Sequence, residues 1–157
     1  MATSWSQRLV ELGITLPEVV APAGSYVPAV RTGNLVYTAG QLPIIDGKLE
    51  VPGKVHEGAE GVVKPEQANR AARQCALNAL AAVDGLVGID AIVRVVKVVG
   101  FVASAHGFTG QPAVINGASD LLGEIFGDAG VHARSAVGVA ELPLGSSVEV
   151  ELIVEVS

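Results

Sequence analysis

Residues 132–156, HARSAVGVAELPLGSSVEVELIVEV, place one Arg and a short row of Glu among residues that are otherwise apolar or small. Arg keeps its charge in any protein environment, so Arg134 among small apolar neighbours requires an anion. That anion is either a structural carboxylate or a bound ligand. Glu149 and Glu151 are the nearest candidates for a partner, and a carboxylate beside a cation could also move a proton to or from a bound molecule. A plain cross-strand Arg–Glu pair on a wet face is the alternative, and such pairs contribute little.

The elements that would position these groups read as two strands joined by a Leu-Pro-Leu-Gly turn. In the last strand Val148, Val150, Leu152, Val154 and Val156 point to one face, and Glu149, Glu151, Ile153 and Glu155 to the other. If Val137 and Val139 share the core with the first set, pairing parity puts Arg134, Ala136, Gly138 and Ala140 on the face of Glu149 and Glu151. The small residues would then leave a hollow between the Arg and the Glu, fit for a small carboxylate.

Upstream, residues 4–13 carry a short helical pattern, and residues 1–21 read as an appendage and connector before a domain over 22–157. Residues 26–31 and 35–41 suggest strands joined around Thr32-Gly33-Asn34, and 44–49 a second tight turn at Asp46-Gly47. Residues 50–63 read as a surface loop. Pro65 opens a helix to about Val87 with Ala68, Ala72, Cys75, Ala79, Val83 and Leu86 inward, and Gln67, Arg70, Arg73, Gln74 and Asn78 off that stripe. Residues 92–104 suggest a long buried strand. Residues 110–126 suggest a second helix with Val114, Ala118, Leu121, Leu122 and Ile125 inward. The order predicts an α+β domain: a mixed sheet with two helices on one face and the other face left for an oligomer.

Composition limits the function. Half of the 157 residues are hydrophobic and 17% are charged, with a mean hydropathy of +0.49. No apolar run is long enough to span a bilayer, so the excess points to subunit contacts. The net charge is −6, without a basic stripe, which argues against nucleic acid as the main partner. A lone Cys75 on the helix stripe reads as core and fits a reducing, cytoplasmic setting; the N-terminus lacks a signal-peptide pattern. His56, His106 and His132 are too dispersed for a metal site, and no phosphate-cradling Gly motif is present. His132 could lie at the rim of the Arg134 cleft or be an ordinary loop His.

Three segments carry a resemblance: APAGSYVPAVRTGNLVYTAGQLP, the helix with VVKVVGFVAS, and ARSAVGVAELPLGSSVEVE. Over roughly residues 22–156 the chain resembles a divergent branch of the Rid/YjgF/YER057c-like family of reactive-intermediate deaminases. The resemblance implies a chorismate-mutase-like fold, a homotrimer with sites between subunits, and no cofactor. It also implies hydrolysis of small enamines and imines such as 2-aminoacrylate to a 2-keto acid and ammonia. It places the carboxylate-binding Arg on Arg134, with Ser135 and Ala136 beside it; many members carry Cys where Ala136 stands. The water-handling Glu falls on Glu149, though parity alone does not separate it from Glu151. Tyr26, Gly40 and Asn116 are implied to line the site. The alternatives are a non-catalytic trimeric module that binds small carboxylates, and a nuclease or translation inhibitor, which the acidic balance disfavours.

Overall fold

The protein is described by a computed structural model covering residues 3–58 and 62–157. Residues 1–2 of the predicted appendage and 59–61 of the predicted loop lie outside the described residues. The chain runs α1 (Trp5–Glu11), β1 (Ala29–Thr32), β2 (Leu35–Thr38), β3 (Ile44–Ile45), β4 (Lys48–Leu49), α2 (Pro65–Val87), β5 (Ile92–Ala103), α3 (Gln111–Phe126), β6 (Ala133–Val139) and β7 (Val148–Val156). One sheet has the order β1-β2-β7-β5-β6, and β3-β4 forms a small separate ribbon. Helices α2 and α3 cover one sheet face and enclose the core with Val36, Val98, Val102, Val150 and Leu152. The α+β, two-layer architecture is the one expected.

Pro65 occupies the first turn of α2, where its missing N–H costs nothing, and the Gln67 side chain accepts from the Lys64 backbone N–H at 3.0 Å. The inward stripe of α2 is fully buried from Ala68 through Val83, but Leu86 at its end is 46% exposed. Small residues bring the two helices together. A Cβ added to Gly117 would lie 1.9 Å from the Asn69 carbonyl oxygen, so only Gly fits that crossing. Gly100, in the middle of β5, similarly makes room for the Ile115 side chain.

Two polar segments are less exposed than expected. Asn78 faces inward: its amide donates to the carbonyls of Leu42 and Ile44 at 2.9 and 3.0 Å, and ties α2 to the segment entering β3. A buried amide holds such a position because its hydrogen bonds are made. Val55, inside the predicted 50–63 surface loop, is fully buried and pairs its backbone with Ala103 and Ala105 beside the end of β5. Helix α1 is clasped to the domain. The Trp5 indole donates to the Ile92 carbonyl at 2.7 Å, and Ser6 donates through backbone and hydroxyl to Asp90 at 2.8 and 2.6 Å. Those two bonds hold the Asp90 carboxyl below the ordinary aspartate value.

The final hairpin is a correction. β6 and β7 do not pair; β5 lies between them, parallel to β6 and antiparallel to β7. Helix α3 is the crossover that a parallel β5–β6 pair needs. The connection over 140–147 passes the end of β5 to span two strand spacings, about 10 Å. Faces follow from the register. Val98 pairs with both Arg134 and Leu152, so Arg134 lies on the helix-covered face; Phe101 pairs with Glu149 and Val137, so these lie on the uncovered one.

Arg134 and Glu149 are therefore on opposite sides of the sheet, and Val137 is 44% exposed instead of in the core. Bulk misled the parity. Beyond Arg134, β6 turns Ala136 and Gly138 toward the helix layer, where a Cβ on Gly138 would lie 2.8 Å from the Gln111 amide nitrogen. The uncovered face carries exposed Val30, Tyr37 and Val137.

Candidate functional site

Arg134 leans from the edge of the sheet onto α3. Its Nη1 donates to Asn116 Oδ1 at 2.7 Å and to Ser119 Oγ at 3.1 Å. Asn116 and Ser119 are one helical turn apart and so project from the same side of α3. Ser119 also contacts His132 Nε2 at 2.9 Å. Among the described residues the ion pairs are Arg8–Glu11, Lys54–Glu141 and Arg73–Glu124, so no carboxylate lies within ion-pair distance of Arg134. The guanidinium is held by neutral oxygens, and its charge is left for a group from outside. Ala136 lies two residues along on the same face of β6, and Ser135 on the opposite one.

A second cluster forms at the other side of the sheet. Gly40 follows β2, where Gln41 bridges Val150 and brings the chain over Glu149. A Cβ on Gly40 would lie 2.5 Å from Glu149 Oε1 and 2.8 Å from its Cδ. Tyr26, Gly40, Leu42 and Leu144 line a shallow hollow of about 50 Å³. Tyr26 lies before β1 instead of within it and is 51% exposed; its hydroxyl accepts from the Ala23 backbone N–H at 3.1 Å. Glu149 is half-buried. Burial, and secondarily the charge of Glu151, raise its carboxyl above the ordinary glutamate value. No Lys or Arg pairs with Glu149 among the described residues. Glu151 sits on the same face.

The expected residues thus fall into two groups: Arg134, Asn116 and Ala136 in one, and Gly40 and Glu149 in the other, with Tyr26 lining a hollow beside Gly40. A single chain does not bring the groups together. Cys75, buried beneath β7, has its thiol pushed far up by burial and is packing, not a nucleophile. Ser119 escaped notice in the sequence, although its i, i+3 spacing from Asn116 was visible there. His132 was visible as a neighbour of Arg134, but a loop His alone gives no sign of what it touches.

Gly40→Ala tests the second cluster. The added methyl meets the end of a flexible side chain, so the fold should persist while the Glu149 carboxylate is displaced. Any reaction that uses Glu149 as its acid or base should slow about tenfold, because a misplaced proton-transfer group loses most of its contribution. A crystal structure of the variant would show Glu149 moved.

The chain belongs to the family described as "YjgF/chorismate_mutase-like, putative endoribonuclease", which matches residues 6–156. It is 45% identical to Protein TCP17 of Trypanosoma cruzi over 96% of this chain and 92% of that protein. It is 34% identical to a 2-iminobutanoate/2-iminopropanoate deaminase of Dermatophagoides farinae over 90% of this chain and 93% of that one. Among solved structures it resembles the protein Atu1372, of unknown function, from Agrobacterium tumefaciens. There the identity is 45%, the TM-score 0.85, and the coverage 98% of this chain and 92% of that one. No helix among the described residues is long and apolar enough to cross a membrane.

Proposed function

We propose that the protein hydrolyses small imines and enamines that bear a carboxylate, at a site completed by a second copy of the chain in a cytoplasmic homotrimer. The observation that carries this reading is the state of Arg134: a guanidinium fixed by Asn116 and Ser119, with no carboxylate of its own. Glu149 is its complement, a half-buried acid without a cation. Opposite faces keep the two apart in one chain, and the uncovered sheet face with Val30, Tyr37 and Val137 is the surface a neighbouring copy would cover. The D. farinae relative, named for deaminase activity on 2-iminobutanoate and 2-iminopropanoate, supports the same chemistry.

In the reaction an enamine first takes a proton at its carbon and gives one up from its nitrogen to become an imine. Water then adds to the C=N carbon while the nitrogen is protonated, giving a carbinolamine. The C–N bond breaks, ammonia leaves and a 2-keto acid remains. Arg134 holds the carboxylate so that the C=N carbon faces the acid of the neighbouring copy, which removes the cost of finding that orientation. Glu149 takes a proton from water and returns one to the leaving nitrogen. A carboxyl raised toward neutrality is suited to both steps. Tyr26 and Gly40 border this half of the site, Gly40 because any side chain there would occupy the place of the acid.

The test is to generate 2-aminoacrylate from serine with a dehydratase and to follow its decay. Wild-type protein should accelerate its conversion to pyruvate. One observation favours a second reading: within a single chain Arg134 has no acid in reach, as a carboxylate-binding module without chemistry would. That reading predicts that 2-keto acids raise the melting temperature through Arg134 while 2-aminoacrylate decays at its uncatalysed rate.

A further inference from the structure

Ser119 Oγ lies between Arg134 Nη1 at 3.1 Å and His132 Nε2 at 2.9 Å. Arg is only a donor, so the Ser119 oxygen accepts from it. His132 Nδ1 lies 2.6 Å from the Gly130 carbonyl oxygen, which only accepts, so Nδ1 carries the proton. In the neutral ring Nε2 is then a bare acceptor, and the Ser119 hydroxyl donates to it. Each proton has one direction: Arg134 to Ser119, Ser119 to His132, and His132 to Gly130. The last carbonyl is itself fixed by packing, since a Cβ on Gly130 would lie 2.3 Å from the Leu122 carbonyl oxygen.

We propose that Ser119 and His132 are positioning residues that turn Arg134 so that its Nε/Nη2 edge faces the ligand, an inference that rests on the reading of Arg134 as the carboxylate anchor. The count of protons carries it. Nη1 has two, and both are committed, to Asn116 Oδ1 and Ser119 Oγ. Among the described residues Nε and Nη2 have no partner, and together they form the side-on fork that matches the two oxygens of a carboxylate. An end-on grip through both terminal nitrogens is already half occupied. The arrangement therefore selects a planar carboxylate approaching from one side and fixes where its carbon chain points. Asn116 alone would leave the guanidinium free to swing about that single bond. The pair at Ser119 removes this freedom before the ligand arrives, which is the way preorganisation gains affinity.

The experiment uses the full-length protein, with 2-ketobutyrate binding by titration calorimetry and 2-aminoacrylate turnover as readouts. Ser119→Ala should weaken keto-acid binding and raise KM about tenfold or more, the worth of one hydrogen bond to a charged group. Its kcat should fall by less than its affinity, because Glu149 is untouched. Ser119→Thr keeps the hydroxyl and should restore binding. His132→Gln, which can place an acceptor near Nε2, should bind more tightly than His132→Asn, which keeps only the Gly130 bond. Nitrogen NMR should find the His132 proton on Nδ1.

Wild-type binding in Ser119→Ala, with binding lost in Arg134→Ala, overturns the positioning role and leaves the anchor standing. Wild-type binding in Arg134→Ala removes the anchor itself. A parallel fall in kcat, affinity and melting temperature that Ser119→Thr does not reverse marks a structural residue and overturns the proposal, as does a proton on Nε2.

Discussion

Arg134→Ala should yield a folded protein that clears 2-aminoacrylate at least about a hundredfold more slowly than wild type and no longer binds 2-keto acids at millimolar concentration. The magnitude follows from the bonds lost. A side-on guanidinium fork makes two charge-assisted hydrogen bonds, each worth about 1.5–3 kcal/mol, and every 1.4 kcal/mol is tenfold. The fold should survive because Arg134 sits on edge strand β6, partly exposed, and its partners Asn116 and Ser119 can turn to water. Circular dichroism and the melting temperature check that point, and calorimetry with 2-ketobutyrate checks affinity. Arg134→Lys should recover little. A Lys can supply charge, but its single ammonium cannot bond Asn116 and Ser119 and also present a planar fork. Undiminished clearance by Arg134→Ala would mean that the cation is a surface charge.

Glu149→Gln should separate binding from chemistry. The amide keeps size and polarity but cannot take a proton from water, so kcat should fall about a hundredfold or more while keto-acid affinity stays within about twofold. Its effect on stability has a definite sign. Burial and Glu151 raise the Glu149 carboxyl above its ordinary value, so the folded chain binds that proton more tightly than the unfolded one. Stability therefore declines as pH rises from the ordinary glutamate value to the raised one, then levels off. Gln has no such decline. The melting temperature of the variant relative to wild type should climb through that window and be highest near neutrality. A variant that melts lower near neutrality and loses binding along with turnover would make Glu149 a structural acid.

The sequence showed the scaffold more clearly than the site, and particular residues say why. Helices α2 and α3 announce themselves through Pro65, Pro112 and a 3.6-residue apolar period that runs from Ala68 to Val83 and from Val114 to Ile125. Strand β7 alternates in burial along its whole length, with Val148, Val150, Leu152, Val154 and Val156 all buried, although Ile153 is apolar on the other face. The Asp46-Gly47 turn is equally plain, both residues having positive φ. What local pattern cannot give is which strands are neighbours. Two strands separated by a short connection look like a hairpin, yet β5 lies between β6 and β7 because a long apolar strand gains most where it is covered by partners on both edges. The parity of β6 failed for a related reason: its faces are decided by how near α3 comes, and the helix admits Ala136 and Gly138 where bulk alone would have put Val137.

The composition of the site was partly readable. Arg134 and Glu149 were named from their residue types, Asn116 and Gly40 from the family resemblance, and the structure places the four in two clusters that no reading of one strand pair contains. Ser119 was hidden, and His132 was seen only as a neighbour of Arg134, because their significance is a chain of contacts between α3 and the segment before β6.

The central claim is that Arg134 of one copy works with Glu149 of another. Arg134→Ala and Glu149→Gln, each inactive alone, should be co-expressed so that mixed assemblies form. If every site takes its Arg from one chain and its Glu from a neighbour, an equal random mixture rebuilds about a quarter of the sites with both groups intact, and 2-aminoacrylate clearance should return to about a quarter of the wild-type rate. If mixed assemblies are demonstrably present and clearance stays at the level of the separate variants, the two residues do not meet across a subunit boundary, and the account is contradicted.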